Sequence, residues 1–300
     1  MTNTLYRAFR TTEEINAQYD PFIDREREPV VNNWLGMSEK TLETIDQPKR
    51  IMFGQHKSDF IDYYSQSKGN RHLQTRDAKR PLHIFIHGGY WRALSTDEFK
   101  FVARHLVTAG IDVAIINYDL CPRVSIDEIV SQVNRAVTWL CTHSEQMGID
   151  INNISLSGHS AGGHLVAMLM TDRLIESDQE PEIRFKGAIA ISGVYDLGPF
   201  PHSWLQPVLQ LGQEDIQNLS PILLKPMHSK RLDTPMHLFY GKAEPSEFER
   251  QSTAYSDYLK TQGVDSRCVG FEGADHFTVL NQFNDSESVL TKTVLAFHIN

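Results

Sequence analysis

From residue 81 onward, short apolar blocks alternate with longer stretches in which apolar residues recur every three to four positions. Runs of four to eight residues rich in Val and Ile, bounded by turn formers, mark buried parallel strands. They are predicted over 82–86, 111–117, 154–157, 185–192, 236–240 and 267–271. Helical spacing predicts helices over 99–108, 125–146, 165–170, 246–261 and 287–297. The clearest is 125–146, where Ile126, Ile129, Val130, Val133, Val137 and Leu140 line one face and Ser125 with Glu128 reads as a capping box. Strands alternating with helices in this way give βαβ units and a mostly parallel central sheet flanked by helices, an α/β fold.

Two regions break the rhythm. The first seventy residues form an N-terminal extension: a helix over 12–20 ending before Pro21, a charged run over 24–28 on a solvated face, strands within 50–64 and a polar loop over 65–80. The stretch 197–233 is interrupted by Pro199, Pro201, Pro207, Pro221 and Pro226. It reads either as a cap-like insertion over the carboxyl edge of the sheet, where α/β folds bind ligands, or as a passive surface excursion.

Composition narrows the function classes. With 300 residues and 40% hydrophobic content the chain can bury a large core, and a net charge of -9 argues against nucleic acid and anionic membranes as partners. Cys121, Cys141 and Cys268 are too scattered for a disulfide framework. The N-terminus lacks a secretory pattern, and no apolar run approaches the ~20 residues of a membrane span. A cytoplasmic protein acting on a small molecule is the expectation, and a homodimer is possible.

The chemistry is concentrated in a few motifs. Gly158, Ser160 and Gly162 form G-x-S-x-G between a predicted strand and a predicted helix, the setting of a nucleophile elbow. A serine needs a base, and in this fold the order along the chain is nucleophile, acid, histidine. His276, just after the last strand, is the candidate base; His298 is expected to be an exposed helix end. Glu244 follows the preceding strand and is the candidate acid, with Glu247 the alternative; Asp275 adjoins His276 but neighbouring side chains on a turn rarely face each other. Upstream, residues 87–91 (His-Gly-Gly-Tyr-Trp) supply a Gly-rich loop. The amides of Gly89, Tyr90 and Ala161, with Gly88 permitting the turn, are the candidate oxyanion donors. His83, His87, His159 and His164 lack metal-ligand spacing, so neither a metal nor a cofactor is expected. His87 is read as holding its loop by hydrogen bonding.

These motifs resemble those of the kynurenine formamidase (arylformamidase) family, a branch of the α/β hydrolases near the hormone-sensitive-lipase-like esterases. The likeness is carried by residues 87–91, the elbow 158–165, the segment 192–197, Ser220 with Pro221, residues 246–248 and residues 275–277. It spans about residues 50 to 295 and departs at Glu244, where the family usually carries aspartate, and at the residue two before it. Because the motifs are spread from His87 to His276 and no cut leaves a working half, a single α/β-hydrolase domain over 1–300 is expected; the resemblance implies hydrolysis of an N-formyl arylamine to formate and amine. Similar formamidases act in N-heterocycle breakdown, for example on (E)-2-((N-methylformamido)methylene)succinate. A small-acyl carboxylesterase and a catalytically silent hydrolase-fold binding module are the competing classes. Arg92 and Arg123 are candidates for a substrate carboxylate or, equally, for plain surface charge, and Trp91, Tyr90, Tyr195 and Phe277 for an aromatic pocket or, as readily, for core packing.

Overall fold

The computed structural model describes residues 4–23, 25–65, 79–171, 184–226 and 233–299. Asp24, most of the expected 65–80 loop and residues 227–232 of the insertion lie outside the described residues. The strands are β1 (Lys49–Met52), β2 (Phe60–Tyr64), β3 (Arg80–Ile86), β4 (Asp112–Ile116), β5 (Ile149–His159), β6 (Phe185–Ile191), β7 (Met236–Gly241) and β8 (Ser266–Phe271). They form one sheet in the order β1-β2-β4-β3-β5-β6-β7-β8. The β1–β2 and β2–β4 pairs are antiparallel and the others parallel. Four successive neighbours, β5 to β8, therefore end at the same edge.

The helices are α1 (Thr12–Tyr19), α2 (Arg27–Thr41), α3 (Ala103–Thr108), α4 (Ile126–Thr142), α5 (Ser144–Met147), α6 (Ala161–Leu169), α7 (Gln206–Leu209), α8 (Gln213–Leu219), α9 (Ser246–Thr261) and α10 (Val289–Ala296). Alternation along β3 shows why the sheet is covered on both faces. Leu82, Ile84 and Ile86 join one core cluster, while Phe85 joins a second with Phe99, Ile115 and Ile191.

Several sequence expectations are corrected in detail. The 99–108 helix begins as a 3-10 turn, Thr96–Val102, before α3. The 125–146 helix is broken after Thr142, with α5 following. Ser125 caps α4 by accepting the Glu128 amide, but the reciprocal half of the box is missing because the Glu128 carboxylate pairs with Arg135. The charged run at 24–28 leads into α2, which had no strong periodicity to reveal it and buries Trp34, Ser38 and Thr41. His298 is not an exposed end: its ring bonds Ser155 and Asn153 on β5, at 2.7 Å each. No helix among the described residues is long and apolar enough to cross a membrane.

Candidate active site

β5 runs directly into α6 through Ser160, whose φ of 54° lies in the left-handed region rarely taken by non-glycine residues. Such a turn is tolerated only where the surroundings hold it. Here the Ser160 amide donates to the Ile191 carbonyl at 2.8 Å, fastening the elbow to the end of β6. Gly162 must lack a side chain, since a Cβ there would stand 2.0 Å from the Ile86 carbonyl oxygen. The same stitching repeats across the sheet edge. The Ser192 amide donates to Phe239 after β6, and the amides of Lys242 and Ala243 after β7 donate to Phe271 and Ala274.

This edge brings three predicted residues together. His276 Nε2 lies 3.1 Å from Ser160 Oγ, and His276 Nδ1 lies 2.7 Å from Glu244 Oε2. All three are buried: Ser160 and His276 expose 3% and 5%, and the Glu244 side chain 1%. The other Glu244 oxygen accepts the Ser192 hydroxyl at 2.6 Å and the Gly241 amide at 2.5 Å. Ser192 was not foreseen. It opens the segment 192–197 that shares in the family likeness, but that likeness gave the residue no role; its φ of 48° at the strand end lies in the left-handed region, as at Ser160. Glu247 faces elsewhere: its carboxylate accepts the Tyr19 hydroxyl at 2.6 Å and is paired with Arg250. It does not cap α9 with its side chain. Asp275 turns outward to Arg25 at 2.6 Å and to the amides of Phe277 and Thr278.

His159 backs this row. Its Nε2–H donates to the His276 carbonyl at 2.8 Å. Burial, followed by the nearby His276, pushes its pKa well below the usual imidazole value, so the ring stays neutral.

The loop over residues 87–91 lies against the elbow. Gly88 has no room for a side chain, because a Cβ would sit 2.8 Å from the His159 carbonyl oxygen. The His87 Nδ1–H donates to the Gly88 carbonyl at 2.8 Å, and the ring stacks on Tyr118, so His87 does hold the loop. Among the described residues, no acceptor takes the amides of Gly89, Tyr90 or Ala161. His83 is satisfied by the hydroxyls of Ser155 and Ser157. Among the described residues no His, Cys, Asp and Glu side chains are grouped to hold a metal ion.

A cleft of about 610 Å³, its open mouth included, has Ser160 and His276 in its wall. Of the candidate substrate contacts, Phe277, Tyr90 and Arg92 line it, together with Gly89 of the oxyanion loop. Trp91, Tyr195 and Arg123 do not, and these three expectations are corrected. Trp91 is fully buried edge-on to His164 and Phe200. Tyr195 is fully buried in a stack on Tyr255, 4.5 Å between ring centres. Arg123 lies outside the cleft, 68% exposed and paired with Asp119. In their place stand Phe22, Arg27, Val31 and Trp34 from the N-terminal segment and Trp204 from the proline-rich insertion.

The BD-FAE family model matches residues 72–259. A kynurenine formamidase from Danio rerio is 31% identical over 246 residues, covering 82% of this chain and 80% of its own length. The chain belongs to the BD-FAE family, as a relative of the kynurenine formamidases. An isoprenylcysteine alpha-carbonyl methylesterase from Arabidopsis thaliana is a more distant relative of this BD-FAE member, 25% identical over 245 residues, covering 76% of this chain and 56% of its own. Among solved structures, a Silicibacter sp. protein provisionally described as a thioesterase superposes with a TM-score of 0.76 at 24% identity, over 93% of this chain and 98% of that one. The fold of this family member is thus the α/β-hydrolase fold.

Proposed function

We propose that this protein is a metal-independent serine hydrolase that cleaves an aryl formamide to formate and the aryl amine. The observation that carries the reading is the unbroken chain Ser160–His276–Glu244, with separations of 3.1 and 2.7 Å. Ser160 Oγ attacks the formyl carbon while its proton passes to His276 Nε2. The carbonyl electron pair becomes an oxyanion held by the amides of Gly89, Tyr90 and Ala161, whose freedom from other acceptors among the described residues supports that role. Collapse expels the amine, which takes the proton from His276 and leaves Ser160 formylated. Water, deprotonated by His276, then attacks the formyl carbon; the Ser160 Oγ–carbon bond breaks to release formate, and Ser160 takes the proton back from His276. Glu244 orients His276 throughout by accepting its Nδ1–H.

The aromatic walls formed by Phe22, Trp34, Trp204 and Phe277 favour an aryl formamide of the N-formyl-kynurenine kind over an aliphatic formamidomethylene-succinate. Arg27 and Arg92 line the cleft without a carboxylate partner among the described residues, which supports an acid group on the substrate. The methylesterase relative and the shared chemistry of acyl transfer support a second reading as a small-acyl carboxylesterase. The three cysteines are all free, which supports residence in the reducing cytoplasm.

The test is turnover of N-formyl-kynurenine beside p-nitrophenyl acetate. The expected result is a higher kcat/KM on the formamide, falling about 10⁵-fold or more in Ser160→Ala. Comparable or better ester efficiency favours the carboxylesterase, and undiminished formamide turnover by Ser160→Ala overturns the serine mechanism.

A further inference from the structure

Tyr90 has a φ of 50° and Trp91 a φ of 56°, two bulky aromatic residues in succession in the left-handed region. That conformation is costly for residues with a Cβ and persists only where contacts over-determine it. The Tyr90 ring is buried edge-on to Phe200 and Trp204, and its hydroxyl donates to the Tyr19 backbone carbonyl at 2.5 Å. Tyr19 is the last residue of α1, so its carbonyl has no partner within the helix and sits at the negative end of the helix dipole. A hydroxyl donor is what that position lacks.

Tyr19 is itself fixed. It is fully buried, its hydroxyl donates to Glu247 at 2.6 Å, and it accepts from the Gln251 amide at 2.8 Å. Gln251 in turn accepts the amides of Tyr195 and Asp196, in the segment that begins at Ser192. One residue of the N-terminal segment therefore joins the Gly-rich loop, through its backbone carbonyl, to α9, through its hydroxyl, and by way of Gln251 to the segment after β6.

We propose that Tyr19 and the Tyr90 hydroxyl are positioning residues: the end of α1 clamps the loop in the turn from which the Gly89 and Tyr90 amides serve the oxyanion. This rests on the oxyanion assignment above. It also gives the N-terminal segment a catalytic purpose beyond lining the cleft. The Tyr90 hydroxyl is committed to Tyr19, so the residue acts on the oxyanion through its backbone alone.

The test separates transition-state from ground-state binding. An aryl trifluoromethyl ketone adds Ser160 Oγ at its carbonyl carbon, sends the serine proton to His276 and places an oxyanion on the loop. The aryl amine product occupies the cleft without one. Removing a whole donor costs 10²–10³ in kcat, so loosening the clamp in Tyr90→Phe should cost about tenfold in kcat, with KM within about twofold. Ketone affinity should fall by about the same factor and amine affinity by no more than about twofold. Tyr19→Phe, which weakens the clamp one link further away, should show the same pattern at about threefold. It carries the test if Tyr90→Phe does not fold. Full kcat and full ketone affinity in both variants would overturn the proposal, as would amine affinity falling in step with the ketone. Failure of the serine mechanism itself looks different: the ketone would then not bind the wild-type protein.

Discussion

Glu244 and Glu247 stand three residues apart after the same strand, and both side chains are buried, with 1% and 7% exposed. Their partners separate them. Among the described residues, Glu244 accepts only neutral donors (the Ser192 hydroxyl and the Gly241 amide) besides the His276 ring, a group that gains and loses a proton. Glu247 faces a permanent cation, Arg250, and the Tyr19 phenol. Burial first, and then Glu247, raises the Tyr19 pKa, so this phenol remains a proton donor. One carboxylate is placed to answer a change of charge, the other to hold a helix and the N-terminal segment together. Proximity to the strand end does not distinguish them; the side chains brought from distant parts of the chain do.

The strongest way to break this contrast is Glu244→Gln. A neutral amide no longer favours the Nδ1–H tautomer of His276, and kcat should fall about 10³–10⁴-fold with KM little changed. A loss below tenfold would mean that Glu244 is not the acid. Ser192→Ala removes one of the three donors to the same carboxylate and should lower kcat by about tenfold, in line with a hydrogen bond to a charged group. Glu247→Gln should do the reverse. It leaves Arg250 without its charge partner, costing about 2–3 kcal/mol in chemical denaturation, while kcat stays within about threefold on the folded protein.

A third carboxylate sharpens the comparison with a smaller effect. Burial alone would raise the Asp275 pKa, but the Thr278 backbone amide, the Arg25 guanidinium, the Thr278 hydroxyl and the Phe277 amide outweigh it and hold the group at about 2. Its folded value lies below the ordinary 3.8, so its contribution to stability is full above about pH 4 and lost as pH falls toward 2. In Asp275→Asn the dependence of stability on pH in that window should be flatter than in wild type. An unchanged slope would show that Asp275 is not held by these donors.

Much of this site was legible because its parts are local. G-x-S-x-G between strand and helix, the loop 87–91 and a histidine after the last strand are short patterns whose order along a parallel sheet fixes where they meet. The choice of Glu244 over Glu247 needed coordinates, because α9 begins between them and only packing decides which carboxylate meets the imidazole. Trp91 and Tyr195 were expected in the cleft because aromatic residues near strand ends suit a pocket as well as a core; the rings of Phe200, His164 and Tyr255 bury them instead. Arg123 follows a strand, yet its partner Asp119 holds it outside. The N-terminal wall was hidden for a related reason. Phe22, Val31 and Trp34 meet Ser160 across more than a hundred residues of chain, and α2 lacks the apolar stripe that would have announced a packed helix.

The most direct test of the Ser160–His276–Glu244 assignment is covalent. The protein should be treated with a fluorophosphonate, the adduct mapped by peptide mass spectrometry, and formamide turnover followed in the same sample. The expected result is a single adduct on Ser160, absent from Ser160→Ala, with turnover lost in proportion to labelling. An adduct confined to another residue, or turnover that survives complete labelling of Ser160, would contradict it.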